Sequence, residues 1–185
     1  VTDIERRFVD LQTTITGKKL GGYAAVYGQR ADIGGYYLES LAPTAFRSVL
    51  ASNPDVRGLL NHDPNMLLAR TRNGSLKLSS DSHGLQFELD IPDTTLGNDV
   101  RTMVDSGLIT GCSFGFIAGE QDWSTHEGRD LRTHTSVASL LDVSVVTYPA
   151  YQGTSVSLRS KPTIPADSID RRTQLIRARA RVHLL

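Results

Sequence analysis

The 185 residues predict an α+β domain, an antiparallel and barrel-like β-sheet core packed with a few helices. Three observations carry that expectation. Most of the chain reads as short apolar or alternating runs broken by turn residues. Pro92 to Gly107 stands out as the clearest helix, marked at both ends. The length suits one sizeable core with a short appendage.

In order, residues 1–14 read as an N-terminal leader, 15–158 as the main domain, and 159–185 as a proline-containing linker with a basic, helical tail. Thr13 to Gln29 predicts a strand, or a bent pair, kinked at Gly17, Gly21, Gly22 and Gly28. Arg30 to Gly35 is a turn, and Tyr36 to Leu38 a short strand. Pro43 opens a short helix with Ala45, Phe46, Val49 and Leu50 at helical spacing, ended by Asn53-Pro54. Val56 to Asn61 is an apolar strand that runs into His62. Strands then follow over Leu67–Arg72, Leu76–Ser79 and Leu85–Ile91, and Asn73-Gly74 predicts a hairpin between the first two. In the helix, Leu96, Val100, Met103 and Val104 form one stripe and Gly107 is the stop. Residues 109–118 read as a strand, Gly119 to Gly128 as a loop around Trp123, and 131–147 as a strand again. The tail carries Arg171, Arg172, Arg177, Arg179 and Arg181.

Composition narrows the function classes. Hydrophobic residues are 39% and charged residues 22%, the balance of a soluble globular chain. Twenty basic residues match twenty acidic ones, so nothing global attracts nucleic acid or a membrane surface. The single cysteine, Cys112, excludes an internal disulfide and a Cys-rich zinc site. The histidines lack zinc-type spacing, and Gly21-Gly22 and Gly34-Gly35 lack a phosphate-loop pattern. No metal and no cofactor is expected. Tyr23, Tyr27, Tyr36 and Tyr37 lack the interleaved basic residues of a base-stacking surface.

Three scattered positions stand out for chemistry. In Gly111-Cys112-Ser113-Phe114-Gly115-Phe116, strand alternation puts the aromatic residues and Cys112 on one face. Ser113 shares the other with two glycines, on a face open to close approach by a substrate backbone. That pattern suits a nucleophile, and equally a solvent-side serine on an amphipathic strand. Cys112 is the rival nucleophile, and its core-facing position argues against it. His62 ends an apolar strand, placed either as a general base or as a locally bonded turn residue. Asp142 interrupts Leu140-Leu141-Asp142-Val143-Ser144-Val145-Val146, where a carboxylate must be paired or face water. Alternation groups it with Leu140, Ser144 and Val146. It is either a solvent-side residue or the member of a triad that orients His62.

The ordered set of segments resembles the phage prohead protease family, itself related to herpesvirus assemblins. The matching pieces are Gly22-Tyr23-Ala24-Ala25-Val26-Tyr27-Gly28, Glu39-Ser40-Leu41-Ala42-Pro43-Thr44-Ala45-Phe46, Leu59-Leu60-Asn61-His62-Asp63, Gly84-Leu85-Gln86-Phe87, Ser106-Gly107-Leu108-Ile109-Thr110-Gly111, Cys112-Ser113-Phe114-Gly115-Phe116, and Leu141 through Tyr151. They span about residues 15–155. The resemblance implies a serine endopeptidase with Ser113 as nucleophile, His62 as base and Asp142 as third member, where the family often has Glu. It implies oxyanion donors at the backbone N–H of Ala150 or Tyr151. The implied substrates are the scaffolding segment of the phage capsid protein and the protease itself, with self-association, in the host cytoplasm inside the assembling prohead. The competing expectation is an inactive scaffold or capsid-interaction module of the same fold.

Overall fold

The structure, a computed structural model, describes residues 3–10 and 14–148. The expected linker and basic tail at 159–185 lie outside them, as do Ala150 and Tyr151. Among the described residues there are thirteen strands and two α-helices, which distribute over three sheets and form no closed barrel. The β-rich expectation holds, whereas the barrel does not. The sheets are also mixed, because two strand pairings are parallel.

The central sheet has five strands: β1 (Glu5–Asp10), β10 (Gly111–Ala118), β13 (Val137–Val146), β6 (Arg57–Leu60) and β7 (Leu67–Arg70), in that order across it. The segment expected as a leader therefore supplies an edge strand, paired antiparallel with the strand that carries Ser113. A second sheet runs β11 (Gln121–His126), β12 (Arg129–His134), β5 (Tyr37–Leu41) and β4 (Ala31–Ile33). The third runs β2 (Thr14–Thr16), β3 (Lys19–Val26), β9 (Gly84–Asp90) and β8 (Leu76–Ser80).

Three local expectations fail; in the first, Arg30–Gly35 reads as a turn, but Ala31–Ile33 form the short edge strand β4, paired with β5. Asn73-Gly74 does not close a hairpin. Thr71–Asn73 form a 3-10 turn with Gly74 left-handed at its end, and the chain passes from one sheet to another. β7 pairs with β6 while β8 pairs with β9, so the glycine serves a crossing rather than a ladder. The expected loop around Trp123 is strand β11, in a hairpin with β12 whose turn has Glu127 and Gly128 both at positive φ. Its alternation is polar because that strand is largely exposed, which hides it from a hydrophobic pattern.

The helices are short. α1 (Arg47–Ala51) follows the buried Phe46 at its N-terminus and buries Val49. α2 (Thr95–Asp105) is capped by the Thr94 hydroxyl, which accepts from Gly97 N, and Gly107 follows it at φ 72°. Its stripe packs as expected, with Val100 buried and Leu96, Met103 and Val104 half-buried against the core. The core gathers the rings of Phe46, Phe114 and Phe116 with Val143, Val145 and Leu140. None of the described helices is long and apolar enough to cross a membrane.

Candidate active site

The central sheet brings the chemistry together through its register. Residues opposite one another on neighbouring strands share a face. One row across β1, β10, β13 and β6 reads Phe8, Ser113, Ser144, Leu59. The next reads Arg6, Gly115, Asp142, Arg57. Ser113 and Asp142 are thus near neighbours on one face, one row and one strand apart, although 29 residues separate them in sequence. The opposite face carries Cys112, Phe114 and Phe116 into the core, as alternation predicts.

Leu140 departs from simple alternation. A bulge between the Gly115 and Phe116 pairings shifts the register, so that Phe116 pairs with Leu140. Leu140 thereby joins the core, while Asp142 and Ser144 keep to the other face.

His62 arrives from β6. Asn61 N donates to Val145 O (2.9 Å), which extends the parallel ladder by one residue. The chain then reverses, with Asn61 at φ 54° and His62 at φ 58°. Left-handed backbone at a non-glycine residue costs about 1–2 kcal/mol and persists only where surrounding contacts hold it. Asn61 supplies such a contact: its side-chain Oδ1 accepts from Thr147 N (2.9 Å) and from Thr147 Oγ1 (3.2 Å). Asparagine also tolerates this conformation better than most residues. The reversal folds the imidazole back over the sheet.

There the three expected residues meet. His62 Nε2 lies 2.7 Å from Ser113 Oγ, and His62 Nδ1 lies 2.6 Å from Asp142 Oδ1. With Nδ1–H donated to the carboxylate, Nε2 is left to accept the serine proton. The aspartate is short, but its position one row from Ser113 brings it within reach.

The two glycines have a different use from the expected one. A Cβ on Gly115 would lie 2.3 Å from Asp142 Oδ2, so the carboxylate occupies the space that the missing side chain leaves. A Cβ on Gly111 would lie 2.2 Å from the Phe8 ring. The face beside Ser113 is therefore filled, by Asp142 on one side and Phe8 on the other, and Ser113 is fully buried. Nothing in the sequence of β1 signals that contact, which depends on strand pairing.

Cys112 is buried on the core side, and burial pushes its thiol well above the usual range. It is a poor nucleophile in this setting.

A second buried polar cluster lies on the core side. Arg7 forks onto Glu39, with Nη2 2.7 Å from Oε2. Arg132 donates to Glu5 Oε1 (2.8 Å) and to Glu39 Oε2 (3.2 Å). His134 is fully buried, with Nε2 3.1 Å from Glu39 Oε2 but off the line of a well-formed hydrogen bond. Burial alone would raise the Glu39 carboxyl; His134 and Arg7 override it and hold it at about 2. Glu5, Glu39 and His134 are close enough to share a cation. Two guanidiniums already neutralise those carboxylates, so the trio carries no metal assignment.

The sequence profile of the family described as Caudovirus prohead serine protease matches residues 2–167. Among solved structures, the chain is similar to the bacteriophage T4 capsid assembly protease, at 11% identity and a TM-score of 0.48, over 77% of this chain and 96% of that one. Among curated protein sequences there is no significant match.

Proposed function

The chain belongs to the Caudovirus prohead serine protease family, and from that premise we propose that it is a serine endopeptidase acting through Ser113, His62 and Asp142. The observation that carries this reading is the unbroken path from Ser113 Oγ through His62 to Asp142, at 2.7 and 2.6 Å.

The reaction is acyl transfer. His62 Nε2 takes the proton from Ser113 Oγ as the oxygen attacks the scissile carbonyl. The same proton passes to the leaving amine, and water then repeats the sequence on the acyl-enzyme. Asp142 keeps the imidazole in the Nδ1–H tautomer and balances the imidazolium as it forms. The tetrahedral oxyanion needs backbone donors, and we assign one to the N–H of Ala150 or Tyr151, which follow β13 in sequence. Losing one such donor costs on the order of 10²–10³ in rate.

The substrates are the scaffolding segment of phage capsid protein and the chain itself, cleaved in the host cytoplasm within the assembling prohead. A fully buried Ser113 favours a chain that is slow in dilute solution and acts after its surroundings move.

The deciding experiment coexpresses the chain with the capsid protein encoded beside it, as wild type, Ser113→Ala and His62→Ala, and reads the intact masses. Cleavage by wild type alone is expected. Assembly of capsids with identical uncleaved masses in all three would replace the protease by an inactive scaffold.

A further inference from the structure

We propose that Ser144 is a positioning residue of this site, which selects and holds the carboxylate oxygen of Asp142 that His62 uses. The proposal rests on the protease reading for its consequence and on geometry for its content.

Ser144 is fully buried and stands opposite Ser113 in the register of β13 and β10. A buried hydroxyl needs a partner. Ser144 Oγ donates to Asp142 Oδ1 at 2.6 Å. That is the same oxygen that meets His62 Nδ1. The other oxygen, Oδ2, fills the space at Gly115.

Each feature removes one freedom of the aspartate. A short side chain can bring one oxygen to the imidazole or swing away by rotation. The Ser144 bond fixes which oxygen faces His62, and the Gly115 gap fixes where the second one goes. Asp142 has no lysine or arginine partner among the described residues. Among the described residues, the hydroxyl of Ser144 is then the only side-chain hydrogen-bond partner of Asp142 besides the imidazole it must orient. A buried serine that merely satisfies itself would bond to a backbone carbonyl, with no bearing on His62.

The test uses the full chain as wild type, Ser144→Ala, Asp142→Ala and the double variant. Proton NMR of the low-field His62 Nδ1–H resonance reads the imidazole–carboxylate bond without any need for turnover. Asp142→Ala identifies the resonance by abolishing it. Ser144→Ala is expected to broaden it away or move it clearly upfield. An unchanged resonance overturns the proposal.

In parallel, the rate at which a fluorophosphonate modifies Ser113 is followed by intact mass. Ser144→Ala is expected to slow it about tenfold in the wild-type background and less than twofold on top of Asp142→Ala, because both act through one carboxylate. Equal slowing in the two backgrounds overturns the proposal. Labelling that persists in Ser113→Ala overturns the protease reading instead, and the resonance then decides the role of Ser144.

Discussion

Two buried polar clusters lie on opposite faces of the central sheet, and they differ in how their charge is closed. On the core side, Glu5 and Glu39 are met by Arg7 and Arg132. Each carboxylate there has a permanent cation, so the cluster locks β1 to β5 and β12; His134 sits beside Glu39 with neither ring nitrogen in a well-formed hydrogen bond, so no hydrogen-bonded path leads on from it. On the other face, the carboxylate of Asp142 is met by an imidazole and a hydroxyl. The imidazole in turn faces a second hydroxyl, that of Ser113. A carboxylate closed by arginine builds structure; one closed by histidine leaves a proton path open. Burial alone does not separate the two, since both are buried.

Removing the open carboxylate should have the largest effect. Asp142→Asn keeps the size of the side chain but favours the wrong imidazole tautomer. A drop of about 10⁴ in the rate of capsid-precursor cleavage is expected, with melting temperature little changed. A drop of less than tenfold would mean that Asp142 belongs with the structural cluster.

Gly115→Ala tests the same site by steric means. The new methyl would meet Asp142 Oδ2 at 2.3 Å and push the carboxylate from His62. Displacement by about 1 Å commonly costs on the order of 10² in rate. The measurement is cleavage rate beside a thermal melt. Loss of activity together with a collapsed melt would point to a broken sheet rather than a displaced carboxylate.

The sequence makes one side of this comparison legible and leaves the other dark. Ser113, His62 and Asp142 announce themselves as polar residues inside or beside apolar strands, and the order of motifs implies the roles proposed for them. Arg132 and His134 sit in a segment that reads as ordinary polar strand, Glu39 lies just past the short strand Tyr36–Leu38, and Arg7 is in a segment that reads as a leader. Their partners come from strands far apart in sequence, Glu39 lying 93 residues before Arg132. Pairing across sheets has no local periodicity, so neither the ion cluster nor the contact of Phe8 with Gly111 is visible before the strands are placed. The failed Asn73-Gly74 hairpin has the same origin: the turn chemistry is local, but whether the flanking strands pair is not.

The closed cluster should affect stability and spare chemistry. Although burial works the other way, His134 and Arg7 hold the Glu39 carboxyl at about 2 in the fold, below its ordinary 4.5. The fold therefore favours the ionised form, and the stabilisation is present above pH 4.5 and lost as pH falls towards 2. The difference corresponds to about 3 kcal/mol. Glu39→Gln should lower the melting temperature at pH 7 by about 10 °C, and the gap from wild type should narrow between pH 4.5 and 2. A gap that stays constant across that range would show that Glu39 contributes through packing and not through its charge.

The smallest effect is expected at Cys112, the residue next to the proposed nucleophile. It points into the core beside Phe114, its thiol is fully buried, and burial disfavours the thiolate that would attack a carbonyl. Cys112→Ala removes one buried sulfur and should cost about 1–2 kcal/mol of stability, with cleavage of the capsid precursor within twofold of wild type. Treating the native chain with iodoacetamide should add no mass. If Cys112→Ala abolished cleavage while its melt stayed near that of wild type, the strand would have to be turned over, with the thiol on the His62 side and Ser113 in the core. The row through β10 would then be read one residue out of register, and Ser113 alone would leave the open cluster, since none of the closed cluster's residues lies on that strand.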